Sequence, residues 1–124
     1  MKLMKIAHVP PVIVDFSATV LDAIRAMVDN NVGAVVVAAE GKIRGILAER
    51  DILRKVIYHN LPPDMTPVAE VMTKEVESVG GDATPSEALR LMLSRQIRHL
   101  PIVDGEGNVM GILSILSLLQ NLAG

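Results

Sequence analysis

The chain has no cysteine and no tryptophan, and Phe16 and Tyr58 are its only phenylalanine and tyrosine. Without cysteine there can be no disulfides, thiolate metal sites or cysteine nucleophiles, and a reducing compartment fits. Two such rings leave few stacking platforms for single-stranded nucleic acid, so the core must be aliphatic. The two signs of charge nearly balance, with 12 Lys and Arg against 14 Asp and Glu. The formal net charge of −2 gives no electrostatic basis for sequence-independent nucleic-acid binding. No apolar run approaches the length needed to span a bilayer. The opening MKLMKIAHVPPVIV looks superficially like a signal peptide. His8, Pro10, Pro11 and Asp15 interrupt it, however, and no small-residue cleavage site follows. The expectation is a soluble cytoplasmic protein with neither membrane nor nucleic acid among its partners.

What is present is repetition, in a chain that is half apolar. ATVLDAIRAM (Ala18 to Met27) aligns with ATPSEALRLM (Ala83 to Met92), and GKIRGIL (Gly41 to Leu47) with GNVMGIL (Gly107 to Leu113). The matches are collinear. Each copy reads as strand, helix, strand, strand, helix. Thr84 suits an N-cap, Pro85 the first helical position and Glu87 a capping box, and Thr19 with Asp22 repeats that logic. GAVVVA and KIRGIL form a hairpin across a Gly-containing turn, as do HLPIVD and VMGIL. The Val-rich strand is apolar enough to be buried on both faces. Pro101 is expected at an edge or strand start, where it breaks no ladder bond. Three prolines in HNLPPDMTPVAEVMTKEV mark a connection rather than a helix. The resulting bounds are copy 1 at 1–60, a linker at 61–71 and copy 2 at 72–124. One copy alone is too small to shield its helix stripes and sheet. The expected fold is therefore α/β of the α+β kind: two β-α-β-β-α repeats packed sheet to sheet about a pseudo-twofold axis.

Several chemistries are set aside. His8, His59 and His99 share no close spacing, so a zinc site is not expected. DGEGN begins like a calcium loop, but Ile115 stands where a bidentate Glu is needed, which leaves a hairpin turn. VGGDATPSE lacks the Gly-Lys-Ser/Thr of a P-loop, and no G-x-S-x-G elbow is present. Nothing argues for catalysis, so no enzyme and no metal are expected.

The ordered segments SATVLDAIRAMVDNNVGAVVV, GKIRGILAERDILR, VAEVMTKEVESV, ATPSEALRLMLSRQIRHLPIVD and GNVMGIL together resemble a tandem pair of cystathionine β-synthase (CBS) domains, a Bateman module. The likeness runs from about Val9 to Leu122, which leaves no room for a catalytic domain and suggests a free-standing pair. The resemblance implies a regulatory module that binds an adenosine-containing ligand (AMP, ADP, ATP or S-adenosylmethionine) in clefts between the repeats, with no obligatory cofactor. It also implies a homodimer of modules and a regulated partner protein. A ligand-free dimeric interaction scaffold with degenerate clefts, or a weak nucleic-acid binder, is the alternative.

GILAERDIL and GILSILSLL carry the candidate site. In each, a strand ends and a helix begins, and a helix N-terminus favours anions. The family pattern places a Ser or Thr there, then an Asp three residues on. The first copy keeps Asp51 but has Ala48 at the hydroxyl position. The second keeps Ser114 but has Ser117 at the acid position. By resemblance, Asp51 is the ribose candidate, Ser114 the phosphate-side candidate and Ser117 a weaker ribose contact. Arg98 and His99, just before Leu100 and Pro101, are candidates for phosphate across the central cleft. The resemblance also implies an adenine wall, with Val12 and Ile13 in one cleft and Met72 and Thr73 in the other, and Gly33 and Ala34 leaving room. Each residue also has a structural reading. Ser114 is a good N-cap, Asp51 stabilises a first helical turn and compensates for the poor cap Ala48, and Arg50, Arg54 and Lys55 read as an exposed helix face. The apolar last helix, SILSLLQNLAG, is expected to be covered partly by a second subunit.

Overall fold

The computed structural model describes residues 3–123. The chain divides into two compact units. One is Val12–Val76, and the other combines the N-terminal segment up to Pro11 with the stretch from Glu77 onward. The first unit contains β1 (Ile13–Asp15), α1 (Val20–Asn30), β2 (Ala34–Ala39) and β3 (Lys42–Ala48). A helical run follows that starts as α2 (Glu49–Asp51) and continues with π-type bonding over Ile52–Ile57, and a short α3 (Val68–Val71) ends the unit. The second contains β4 (Val79–Gly80), α4 (Pro85–Arg95), β5 (His99–Val103), β6 (Val109–Ser114) and α5 (Ile115–Ala123). Each sheet has three strands, in the orders β1-β2-β3 and β4-β5-β6, with a parallel first pair and an antiparallel second pair.

The local signals account for these elements. Thr19 caps α1: its hydroxyl accepts the Asp22 N–H at 3.2 Å, and its own N–H donates to Asp22 Oδ2 at 3.0 Å. Thr84 and Glu87 form the same box at 3.1 Å in both directions, with Pro85 opening the helix. The β2–β3 turn is two residues, Glu40 and Gly41, both at positive φ (54° and 77°), the geometry that matches strand twist. DGEGN is a hairpin turn: Asp104 Oδ1 accepts the N–H groups of Glu106 and Asn108, each at 2.9 Å. Ala34 to Val37 are all buried, as the apolar run implies. Pro101 lies inside β5 rather than at its start. It faces Ile112, whose N–H and C=O are both taken by His8. Its missing donor therefore falls on the β4 side, where the equivalent Val36 of the first unit donates to Val12 O at 2.9 Å and where β4 begins only at Val79.

The capping boxes make stability sensitive to acid. N–H donation from Thr19 and Thr84 holds the carboxyls of Asp22 and Glu87 below their ordinary values. A carboxyl lowered on folding contributes stability above its unfolded pKa, and that contribution is lost as pH falls through the folded value. Denaturant midpoints are therefore expected to fall as pH drops from about 6 to about 3. The double variant Asp22→Asn/Glu87→Gln should be less stable at neutral pH but lose less on acidification. Parallel pH curves for the two proteins would contradict this.

The two repeats exchange their leading segments. Residues 3–9 pack with the body of the second copy and residues 68–74 with the body of the first, so the compact units cut across the sequence bounds 1–60 and 72–124. Thr73 exchanges both backbone bonds with Ile46 (2.9 and 3.0 Å), and His8 does the same with Ile112 (2.9 and 3.2 Å). Each crossing lies beside a glycine, Gly45 or Gly111. Val68 is fully buried with Val20, Leu47 and Val56, and Leu3 with Met92, Leu100 and Leu118. Each core is thus completed by a residue that precedes the other copy in sequence.

Candidate functional site

In the first unit, β3 delivers Ala48 to the start of the helical run, which turns Asp51 back toward the strand. Ala48 has no side-chain oxygen to cap with, so Asp51 Oδ2 accepts the Ala48 N–H at 2.9 Å. Asp51 Oδ1 accepts the Thr73 hydroxyl at 3.2 Å and the Lys55 ammonium, also at 3.2 Å. Lys55 Nζ further donates to the Val71 carbonyl at 3.1 Å. Ala48 and Asp51, from one stretch, and Thr73, from another, therefore meet around one carboxylate. Gly33 and Ala34 adjoin them: the Gly33 carbonyl accepts the Glu49 N–H at 3.0 Å, and Ala34 pairs with Ala48 across the ladder. Met72 is buried against Gly45. Val12 and Ile13 lie along β1, whereas Met72 and Thr73 run along β3, at the opposite edge of the same sheet.

In the second unit, Ser114 and Ser117 take the equivalent places. Ser114 Oγ accepts the Ser117 N–H at 3.1 Å and donates to Ser117 Oγ at 2.9 Å. It is the N-terminal cap of α5. His99 is half-buried opposite Ser114. Pro101 is buried, while Arg98 is exposed and offers its carbonyl to the Ile115 N–H at 2.8 Å. Arg95 pairs with Glu77 at 3.2 Å. Part of the anion-binding capacity expected at each helix start is already used, because Glu49 N–H and Ile115 N–H both bind loop carbonyls.

The structure adds two residues to the candidates. Lys55, which sequence reasoning placed on an exposed helix face, is in contact with Asp51. The signal was the Asp51–Lys55 spacing of four, which places two helical side chains side by side. His8 occupies in the second unit the place Thr73 has in the first, since each crosses a glycine strand and bonds the residue after the glycine. Its signal was the alignment of IAHV with VMTK.

A separate apolar groove of about 480 Å³ lies in the first unit, lined by Ile24, Met27, Val28, Ile52 and Leu53 among others. None of the predicted site residues lines it. Val28 and Leu53 are 73% and 62% exposed, and their equivalents in the other unit, Leu93 and Leu119, are 63% and 45% exposed. Both repeats thus present the same apolar pair, although the first copy's final helix carries more charge. Among the described residues, no helix is long and apolar enough to cross a membrane, and no group of three or more His, Asp or Glu could hold a metal ion.

Comparison with known proteins follows this geometry closely. The CBS domain family model matches twice, at residues 3–58 and 68–124, so both matches begin at the exchanged leading segments. An Arabidopsis thaliana CBS domain-containing protein, CBSCBSPB1, is 40% identical over 98 residues, covering 79% of this chain but only 18% of its own length. The crystal structure of the CBS domain NE2398 superposes with a TM-score of 0.91 at 32% identity, covering 100% of this chain and 98% of that one. The CBS domain protein PAE2072 from Pyrobaculum aerophilum, solved in complex with AMP, has a TM-score of 0.87 at 26% identity, covering 99% and 98%. The chain belongs to the CBS-domain family, as a tandem pair of the kind that forms a regulatory module.

Proposed function

We propose that this CBS pair senses an adenosine-containing ligand (AMP, ADP, ATP or S-adenosylmethionine), holds its ribose at Asp51 and passes occupancy to a partner protein. The observation that carries this reading is the Asp51 carboxylate. It is half-buried at a strand-to-helix junction, fixed by the Ala48 N–H, and has Thr73 beside it. A carboxylate offers two oxygens to the two ribose hydroxyls, and the AMP-complexed relative supports the ligand class. Ser114, Ser117, Arg98 and His99 supply a second, less acidic candidate site. A thermal-shift panel of AMP, ADP, ATP, S-adenosylmethionine and non-adenosine nucleotides tests the reading. At least one adenosine ligand is expected to raise the melting temperature by several degrees at saturation. No response across the panel would favour the alternative of a ligand-free scaffold, which the internal bonding of Asp51 and Ser114 also supports.

The module acts as a homodimer in this reading, through the apolar face repeated in both units. Val28 and Leu53 are exposed in one unit, and Leu93, Leu116, Leu119 and Leu122 in the other, and large apolar side chains exposed together on a helical face suit an interaction surface. Sedimentation at micromolar concentration is expected to give a dimer, and Leu53→Glu/Leu119→Glu a monomer of unchanged fold. A wild-type monomer would remove this part of the proposal.

A further inference from the structure

We propose that Lys55 is an internal competitor for the ribose hydroxyls at Asp51. The inference rests on the ribose reading above and concerns what the ligand must displace. A carboxylate has about four acceptor directions, and three are taken here: Oδ2 by the Ala48 N–H, and Oδ1 by both the Thr73 hydroxyl and the Lys55 ammonium. One direction is left, and a cis-diol that donates from both hydroxyls needs two. Ala48 N–H is backbone, and the main chain of Thr73 is pinned by two bonds to Ile46. Lys55 is the group free to leave. Its side chain is 44% exposed against 15% for Asp51, so its ammonium can exchange the Asp51 contact for water or a ligand hydroxyl while still donating to the Val71 carbonyl. The lysine therefore fills the ribose position in the ligand-free protein and is exchanged for the second hydroxyl on binding. A 2′-deoxy ligand donates one hydroxyl fewer and does not need the exchange. Lys55 thus narrows discrimination between ribose and deoxyribose.

Adenosine and 2′-deoxyadenosine are the probes, because they lack a phosphate that a lysine could otherwise attract. Both are titrated calorimetrically into the wild type, Lys55→Met and Lys55→Gln, with thermal melts confirming that each variant is folded. Met keeps the aliphatic stem, and Gln keeps a neutral donor. Adenosine is expected to bind about threefold tighter to both variants, with 2′-deoxyadenosine unchanged. A silent wild type beside variants that bind adenosine supports the competitor equally. Unchanged or weaker adenosine binding in both variants, or equal tightening of both nucleosides, overturns it and leaves the ribose reading intact. If neither nucleoside binds any of the three proteins, the ribose reading falls and the competitor falls with it.

Discussion

Gly45→Ala is expected to lower the free energy of unfolding by about 3 kcal/mol, near the upper end for overpacking a tight site. A Cβ at this position would lie 2.5 Å from Met72 Sδ, 2.8 Å from Met72 Cγ and 2.9 Å from the Thr73 carbonyl oxygen. Met72 has three flexible torsions and can yield. The Thr73 carbonyl cannot yield, because retreat breaks its bond from Ile46 N–H and strains the reciprocal one. Two other glycines grade the effect. At Gly111 the nearest contacts are 3.2 to 3.3 Å, from His8 O, Val9 and Ala7, so Gly111→Ala should cost about 1 kcal/mol. At Gly105 nothing lies within 4 Å, and alanine there should fall within about 0.5 kcal/mol of the wild type. Denaturant melts of the three variants should rank them in that order. Equal stability of Gly45→Ala and Gly105→Ala would refute the account of the crossing segment.

The same substitution reaches the site. Thr73 both occupies the crossing position and donates its hydroxyl to Asp51, so displacing its backbone pulls apart the group of residues around the carboxylate. This is why the glycine of GILAERDIL is kept in GILSILSLL while the polar residues after it are not. The glycine is required by a backbone that passes over it, and each copy has such a backbone.

Which parts of this were legible in the sequence follows from the range of the interactions. The capping boxes, the Glu40–Gly41 turn, the repeated strand-helix-strand-strand-helix order and the compensation of Ala48 by Asp51 depend on residues within four positions of each other. They could be read directly. The burial of Ala34 to Val37 followed from an apolar run. The exchange of leading segments could not be read, because nothing local in LMKIAHV says which copy's β-strand it will cross. For the same reason His8 reads in the sequence only as a break in the apolar opening and an unsupported metal ligand, and its equivalence to Thr73 appears only when both crossings are seen. Pro101 was expected at a strand start because proline removes a donor. In β5 the missing donor falls on the β4 side, where the equivalent Val36 bonds Val12 O, and β4 is short enough to begin only at Val79. Lys55 was visible at the right spacing from Asp51, but an i,i+4 pair on a charged helix does not reveal that its carboxylate also meets Thr73, 22 residues further along the chain.

The second large effect concerns Asp51. Two ribose hydroxyls donating to a carboxylate form charge-assisted hydrogen bonds, and losing both should weaken nucleotide binding about 100-fold. The same truncation removes the acceptor for Ala48 N–H, which should cost about 1 kcal/mol of stability, as other lost caps do. Affinity must therefore be compared at a temperature where both proteins are folded. Asp51→Asn separates the two roles: its amide oxygen can still accept the Ala48 N–H, while only one acceptor remains in place of two. It should retain most of the stability and little of the affinity.

The most direct measurement is a calorimetric titration of AMP into the wild type and Asp51→Ala, both confirmed folded. The account predicts a saturable isotherm for the wild type and a loss of about 100-fold in the variant. Equal affinity in the two proteins would contradict it, because the ligand would then be held somewhere other than the carboxylate around which the site is built.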